Sequence, residues 1–190
     1  MSIIFEDVDK VGGSIVISDN GHGMLLDEII DGWMRIATTN KKQNPVTRSF
    51  CRTMSGAKGI GRFAARRLGN VLEIQSIAER PNGMKEIVYI KFDWDIFTSG
   101  TDIDQIPITY EQTLTDGNEK PGVTLVISDV RDIWDEQEIE DLRKDLFELQ
   151  TPFPDLIHQM PDSQDGECIP DPGFNISIEL GKSDDESEPI

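Results

Sequence analysis

One stretch, SIVISDNGHGMLLDEII (residues 14–30), constrains the fold more than any other, because the spacing of its apolar residues changes period inside it. An apolar run ends on Asp19, and Gly21 and Gly23 follow within four residues. Beyond them Leu26, Ile29, Ile30, Trp33 and Ala37 recur at three- and four-residue spacing. Such spacing marks an amphipathic helix, so the chain leaves a strand, turns within a few residues and enters a helix. Two readings of the turn stay open. In one, Asp19 closes an Asx turn and the glycines serve its geometry alone. In the other, the carboxylate, an acceptor only when ionised, takes the exocyclic amine of a purine. Glycines without a Cβ then let a flat ring come close to the backbone, and Met24 supplies a pliable apolar wall. His22 reads as a solvent-facing turn residue.

Similar punctuation organises the rest. SIIFEDV and GSIVISD are strands around the DKVGG reversal, and VLEIQSIAE and KEIVYIKFD are strands joined by the hairpin turn RPNGM. GIGRFAARRLG opens with glycines and closes on Gly69, in the place of a helix stop. Residues 38–57 are polar, contain a proline and show no period, as in a long loop that forms a lid or binding segment. A variable region runs to about residue 120, followed by the strand GVTLVISDV. Asp135 and Glu138 form a candidate capping box for a helix with the face Ile139, Leu142, Leu146 and Leu149. The expectation is an α+β domain: a two-layer sandwich of a mixed, mostly antiparallel sheet with helices on one face. It spans residues 1–155, and an acidic, Pro- and Gly-rich segment, 156–190, is partly flexible apart from a short FNISIEL. No internal repeat is visible.

Charge narrows the function. The 190 residues carry a net charge of -18, against general affinity for nucleic acid or anionic lipid, so nucleic acid enters only indirectly. Between Arg35 and Arg67, however, lie nine basic residues and no Asp or Glu. That island suits a small anion, or else it is a solvated positive face. No apolar run reaches membrane-spanning length. The acidic N-terminus is unlike a secretory signal, and Cys51 and Cys168 have no metal-like spacing. A cytoplasmic setting with free thiols is the expectation.

Inside the island, GAKGIGRF (residues 56–63) places three glycines before a helix. Several backbone N–H groups and the helix dipole can then converge on phosphate oxygens, with Lys58 and Arg62 adding charge. The plainer alternative is a glycine-rich helix entry with surface cations. Gly59, Gly61 and Ala64 also satisfy a G-x-G-x-x-A dinucleotide pattern, with Glu79 twenty residues beyond Gly59. That fingerprint needs a buried apolar strand directly before it, and the polar, basic VTRSFCRTMSGAK cannot be one. No phosphate loop of the G-x-x-x-x-G-K-[ST] type, metal cluster or Ser/His/Asp set stands out.

Taken together, DNGHGM, the basic lid with TTNK, GAKGIGRFAARRLG and GVTLVI resemble the GHKL superfamily of ATP-binding domains. Gyrase, the ninety-kilodalton heat-shock chaperones, histidine kinases and MutL-type repair proteins share this domain. Over roughly residues 1–150 the flavour is nearest the chaperone-like and MORC-like bacterial ATPases. The resemblance implies the Bergerat-type fold, ATP or ADP with Mg²⁺ as cofactors, and a nucleotide-driven conformational switch whose partners are other domains of a longer protein or a second copy. It implies that Asp19 accepts the adenine amino group, that Gly21 and Gly23 shape the adenine-side loop, and that Met24 lines the pocket. Gly59, Ile60 and Gly61 would wrap the triphosphate, with Lys58 and Arg62 near its outer phosphates. Thr38, Thr39 and Lys41 resemble the short lid motif.

The chain departs from the family twice. The family's helix before the first strand carries an Asn that holds Mg²⁺, beside an acidic residue that activates water. Here only eighteen residues precede Asp19, and they read as a hairpin without Asn. Phosphoryl transfer depends on that charge compensation and placed water. The expectation is therefore weak nucleotide binding and poor hydrolysis, from a piece of a longer protein whose N-terminal helix lies outside this sequence. The alternative is a non-hydrolysing nucleotide-binding or protein-interaction module. Second, the family's Thr after the glycine is Val123 here, with Thr124 one place later. A one-residue offset turns a strand side chain to the other face.

Overall fold

The computed structural model describes residues 1–34, 61–96, 109–147 and 175–181. Seven strands form one sheet in the order β5-β4-β3-β6-β2-β1-β7. They are β1 (Ser2–Glu6), β2 (Ser14–Ser18), β3 (Gly69–Glu79), β4 (Lys85–Asp93), β5 (Thr109–Thr115), β6 (Gly122–Val130) and β7 (Ser177–Gly181). Every pairing is antiparallel except β1 with β7. The described helices are α1 (Leu26–Glu28), continued by a π-helical turn over Ile29–Met34, then α2 (Gly61–Leu68) and α3 (Glu136–Phe147). A single 3₁₀ turn, Trp94–Ile96, follows β4. This is the mixed, mostly antiparallel α+β arrangement expected from the sequence.

Register explains why the helices share one face. Phe5 stands opposite Ile15, Ile15 opposite Ile127, Ile127 opposite Leu72, and Leu72 opposite Phe92. The next row on the same face runs Ile3, Ile17, Leu125, Ile74 and Ile90. Alternation along a strand puts these side chains on one face and their neighbours on the other. Leu26 and Ile29 at the first helical turn, Ala65 of α2 and Ile139 of α3 bury themselves in that cluster. The opposite face carries polar pairs such as Ser18 with Thr124 and Glu73 with Lys91.

Local signals act where the sequence places them. The β3–β4 hairpin closes through Arg80 N to Met84 O at 2.8 Å and Gly83 N to Arg80 O at 2.9 Å. At α3 the Glu138 amide donates to Asp135 Oδ1 at 2.8 Å, and Glu138 Oε2 accepts the Asp135 amide at 3.0 Å. That reciprocal pair satisfies two otherwise orphaned donors. Ile139 is buried and Leu142 and Leu146 pack beside it, while Leu149 lies outside the described residues.

Two features differ from the expectation, and a third extends it. The helix after Met24 is α-helical for one short turn only and then winds wider, because recurrence at three and four residues does not separate a 3.6-residue from a wider period. Inside the variable region, Thr109–Thr115 forms edge strand β5. The FNISIEL stretch set apart in the C-terminal segment contributes β7, and Ser177–Gly181 pairs in parallel with β1, from Ser2↔Ser177 to Glu6↔Gly181. Among the described residues no helix is long and apolar enough to cross a membrane.

Candidate functional site

The loop from Asp19 to Leu25 crosses the end of the central strands. Asp19 continues β2, and its amide donates to Val123 O at 2.9 Å. Its exposed side chain closes an Asx turn: the Gly21 amide donates to Asp19 Oδ1 at 2.8 Å. The second oxygen, Oδ2, has no hydrogen-bond donor among the described residues. The turn geometry and the open acceptor thus coexist in one residue.

Gly23 is in the left-handed region, with φ of 68°, and a Cβ there would lie 1.9 Å from the Ile77 carbonyl oxygen. Only a residue without a side chain lets the loop run this close to β3. Across the same strand end, a Cβ on Gly122 would lie 2.3 Å from the Asp19 carbonyl oxygen. The loop is pressed onto β3 and β6 from both sides.

Two buried polar side chains fasten it. Ser76 of β3 accepts the Met24 amide at 2.7 Å and donates to Met24 O at 2.8 Å, so one hydroxyl satisfies both backbone groups of Met24. Glu86 of β4 accepts the Leu26 amide on Oε1 at 2.7 Å, and Arg80 Nε donates to its Oε2. Leu25 precedes the helix without a side-chain acceptor. The free donors of the first turn therefore go to Glu86 and to Glu28 Oε2, which accepts the Leu25 amide at 3.0 Å. Burial pushes the Glu86 carboxyl up, but the Leu26 amide, the Arg80 guanidinium and Gln112 outweigh it and hold the group below the ordinary glutamate range.

Of the residues expected at the site, Asp19, Gly21, Gly23 and Met24 come together in this loop. Thr124 stands in register with Ser18, its Oγ1 3.1 Å from Ser18 Oγ, on the face opposite the core. Val123 packs on the core side, next to the Asp19 backbone. Gly61 and Arg62 begin α2, and nothing is described of the Arg62 side chain. Thr38, Thr39, Lys41, Lys58, Gly59 and Ile60 lie outside the described residues. Two cations of the basic island have structural partners. Arg66 lies over the Trp94 ring at 6.0 Å, and Arg67 pairs with Asp132 at 2.8 Å.

Sequence reasoning passed over Ser76 and Glu86. Their signal is a break in phase: each takes a core-facing position in a run otherwise filled by Leu72, Ile74 and Ala78, or by Val88, Ile90 and Phe92.

Comparison with known proteins matches residues 1–118 to the family described as histidine kinase-, DNA gyrase B-, and HSP90-like ATPase. No curated protein matches. Among solved structures, the chain is similar to one titled as the N-terminal domain of a DNA repair protein. The two share 18% identity with a TM-score of 0.36, over 78% of this chain and 34% of that one. The chain thus spans about a third of the length of that structure.

Proposed function

The chain belongs to the histidine kinase-, DNA gyrase B-, and HSP90-like ATPase family, and on that premise we propose that it binds ATP or ADP with the adenine seated against the loop from Asp19 to Leu25. The observation that carries this reading is the Asp19 side chain. One carboxylate oxygen is tied into the Asx turn at a strand end, and the other has no donor among the described residues. An ionised carboxylate there takes the adenine N6 amine, directly or through water, and repels the O6 acceptor of guanine. Met24 flanks the ring, and Gly21 and Gly23 keep the backbone close. The triphosphate runs to Gly59, Ile60 and Gly61, with Lys58, Arg62, Thr38, Thr39 and Lys41 near its outer end. Lys41, Lys58 and Arg62 offset the anion's charge in an otherwise acidic protein.

In this family Mg²⁺ neutralises the phosphates. Among the described residues no group of three His, Cys, Asp or Glu could hold a metal ion. On this reading the chain's own residues bind and position the nucleotide. The finer role is that of a heat-shock-chaperone-like switch in a longer cytoplasmic protein, in which bound nucleotide governs contacts with other domains or a second copy.

Calorimetric titration with ADP and ATP in the presence of Mg²⁺ tests the site. Wild type binds, and Asp19→Asn weakens binding by at least about tenfold, the equivalent of one lost charge-assisted hydrogen bond. Equal binding by both proteins refutes the role of Asp19.

One observation favours a second reading, a nucleotide-binding or protein-interaction module that does not hydrolyse. The position beside Asp19 on the core face carries Val123, and the hydroxyl of the next residue, Thr124, is engaged with Ser18 on the other face. Bound ATP recovered intact after prolonged incubation supports this module, and steady phosphate release excludes it.

A further inference from the structure

Among the described residues only two polar side chains are buried, Ser76 and Glu86, both with no exposed surface. Both direct hydrogen bonds at the same loop, from adjacent strands: Ser76 to Met24, and Glu86 to Leu26 two residues on. Their positions are adjacent on the core face, since Ala78 stands opposite Glu86 and Val88 opposite Ser76. Core packing does not call for either. An apolar side chain of similar size fills such a position at equal or lower cost, because a buried carboxylate must first be stripped of water. What apolar residues cannot do is hold two backbone segments at a fixed height above the sheet.

We propose that Ser76 and Glu86 are positioning residues for the nucleotide loop: by fixing Met24 and Leu26 above the end of β3 and β4, they set how closely a purine meets Asp19 and hence the preference for adenine over guanine. The proposal rests on the nucleotide reading above and deepens it. Asp19 leads into the loop and Met24 is bolted down five residues later, with Gly23 held against the Ile77 carbonyl between them. Freed of Ser76, Met24 loses its seat and the distance between the apolar wall and the carboxylate is no longer defined. Glu86 holds the far side of the loop and is itself oriented by Arg80.

The test uses the whole chain and measures affinity for ADP and for GDP in wild type, Ser76→Ala, Glu86→Leu and Glu86→Gln, with amide hydrogen exchange at Met24 and Leu26 on the same proteins. Ser76→Ala and Glu86→Leu are expected to lower ADP affinity about tenfold and leave GDP affinity nearly unchanged, so the base preference shrinks. Glu86→Gln keeps an oxygen for the Leu26 amide and retains most of the preference. Met24 exchanges faster in Ser76→Ala and Leu26 in Glu86→Leu, while protection of β3 and β6 stays as in wild type. A general loss of stability weakens both nucleotides in proportion, and that result, or unchanged exchange at the two amides, overturns the proposal. Wild type that binds neither nucleotide overturns the underlying reading instead, and the exchange data then judge the fastening of the loop by themselves.

Discussion

The carboxylate of Glu86 accepts the amide of Leu26 at 2.7 Å across sixty residues of sequence, so a strand in one half of the sheet caps a helix that follows a strand in the other half. Their contact has a sign in pH. Glu86 titrates below the ordinary glutamate range in the folded chain. Its contribution is therefore fully present above the unfolded value and is lost as the pH falls through the folded one. Urea unfolding followed from neutral to acid pH is expected to show stability falling across that window. Glu86→Gln should flatten the fall, and an unchanged acid limb in that variant contradicts the assignment.

Gly23 and Gly83 both have positive φ, 68° and 81°, but a Cβ on Gly83 meets nothing within 4 Å. Gly83→Ala is expected to cost only the backbone strain, about 1 kcal/mol. Gly23→Ala adds a collision with the Ile77 carbonyl and should cost about 3 kcal/mol or more. Denaturant midpoints at equal m-value order the two.

Asp135→Ala removes the acceptor of the Glu138 amide and breaks the reciprocal cap of α3. The expected loss is about 1 kcal/mol. Because α3 lies away from the Asp19 loop in the contacts it makes, ADP affinity should not change, and calorimetry on the same sample checks it.

Val123→Thr places a hydroxyl on the core face beside the Asp19 backbone, where the chain now has only a methyl group. The swap is nearly isosteric, so the fold tolerates it at a cost of about 1–2 kcal/mol. If that hydroxyl supports the carboxylate, ADP affinity rises severalfold. Thr124→Val, which breaks only the contact with Ser18, leaves affinity within about twofold and lowers stability by about 1 kcal/mol.

What the sequence made legible was local. The Asx turn at Asp19, the RPNGM hairpin and the Asp135–Glu138 cap all depend on residues within a few positions of one another. The family resemblance rested on motifs of the same reach. β5 escaped notice because Thr109–Leu114 is exposed and lacks the apolar alternation of a buried strand. FNISIEL stood out locally, but its pairing as β7 did not, because the parallel partner, β1, lies far away in the sequence, and no local pattern encodes that distance. Ser76 and Glu86 were visible as polar breaks in apolar runs, but what they break the pattern for is a loop fifty-two and sixty residues away. The phosphate-side expectation at Lys58, Gly59 and Ile60 falls outside the described residues.

The parallel pairing of β1 with β7 has a consequence for synthesis. A ribosome releases Ser2–Glu6 long before Ser177–Gly181, so β1 is made well ahead of the strand that pairs with its outer edge. The ladder between β1 and β7 closes only when nearly all of these residues have left the exit tunnel, a long-range pairing of the kind that forms slowly.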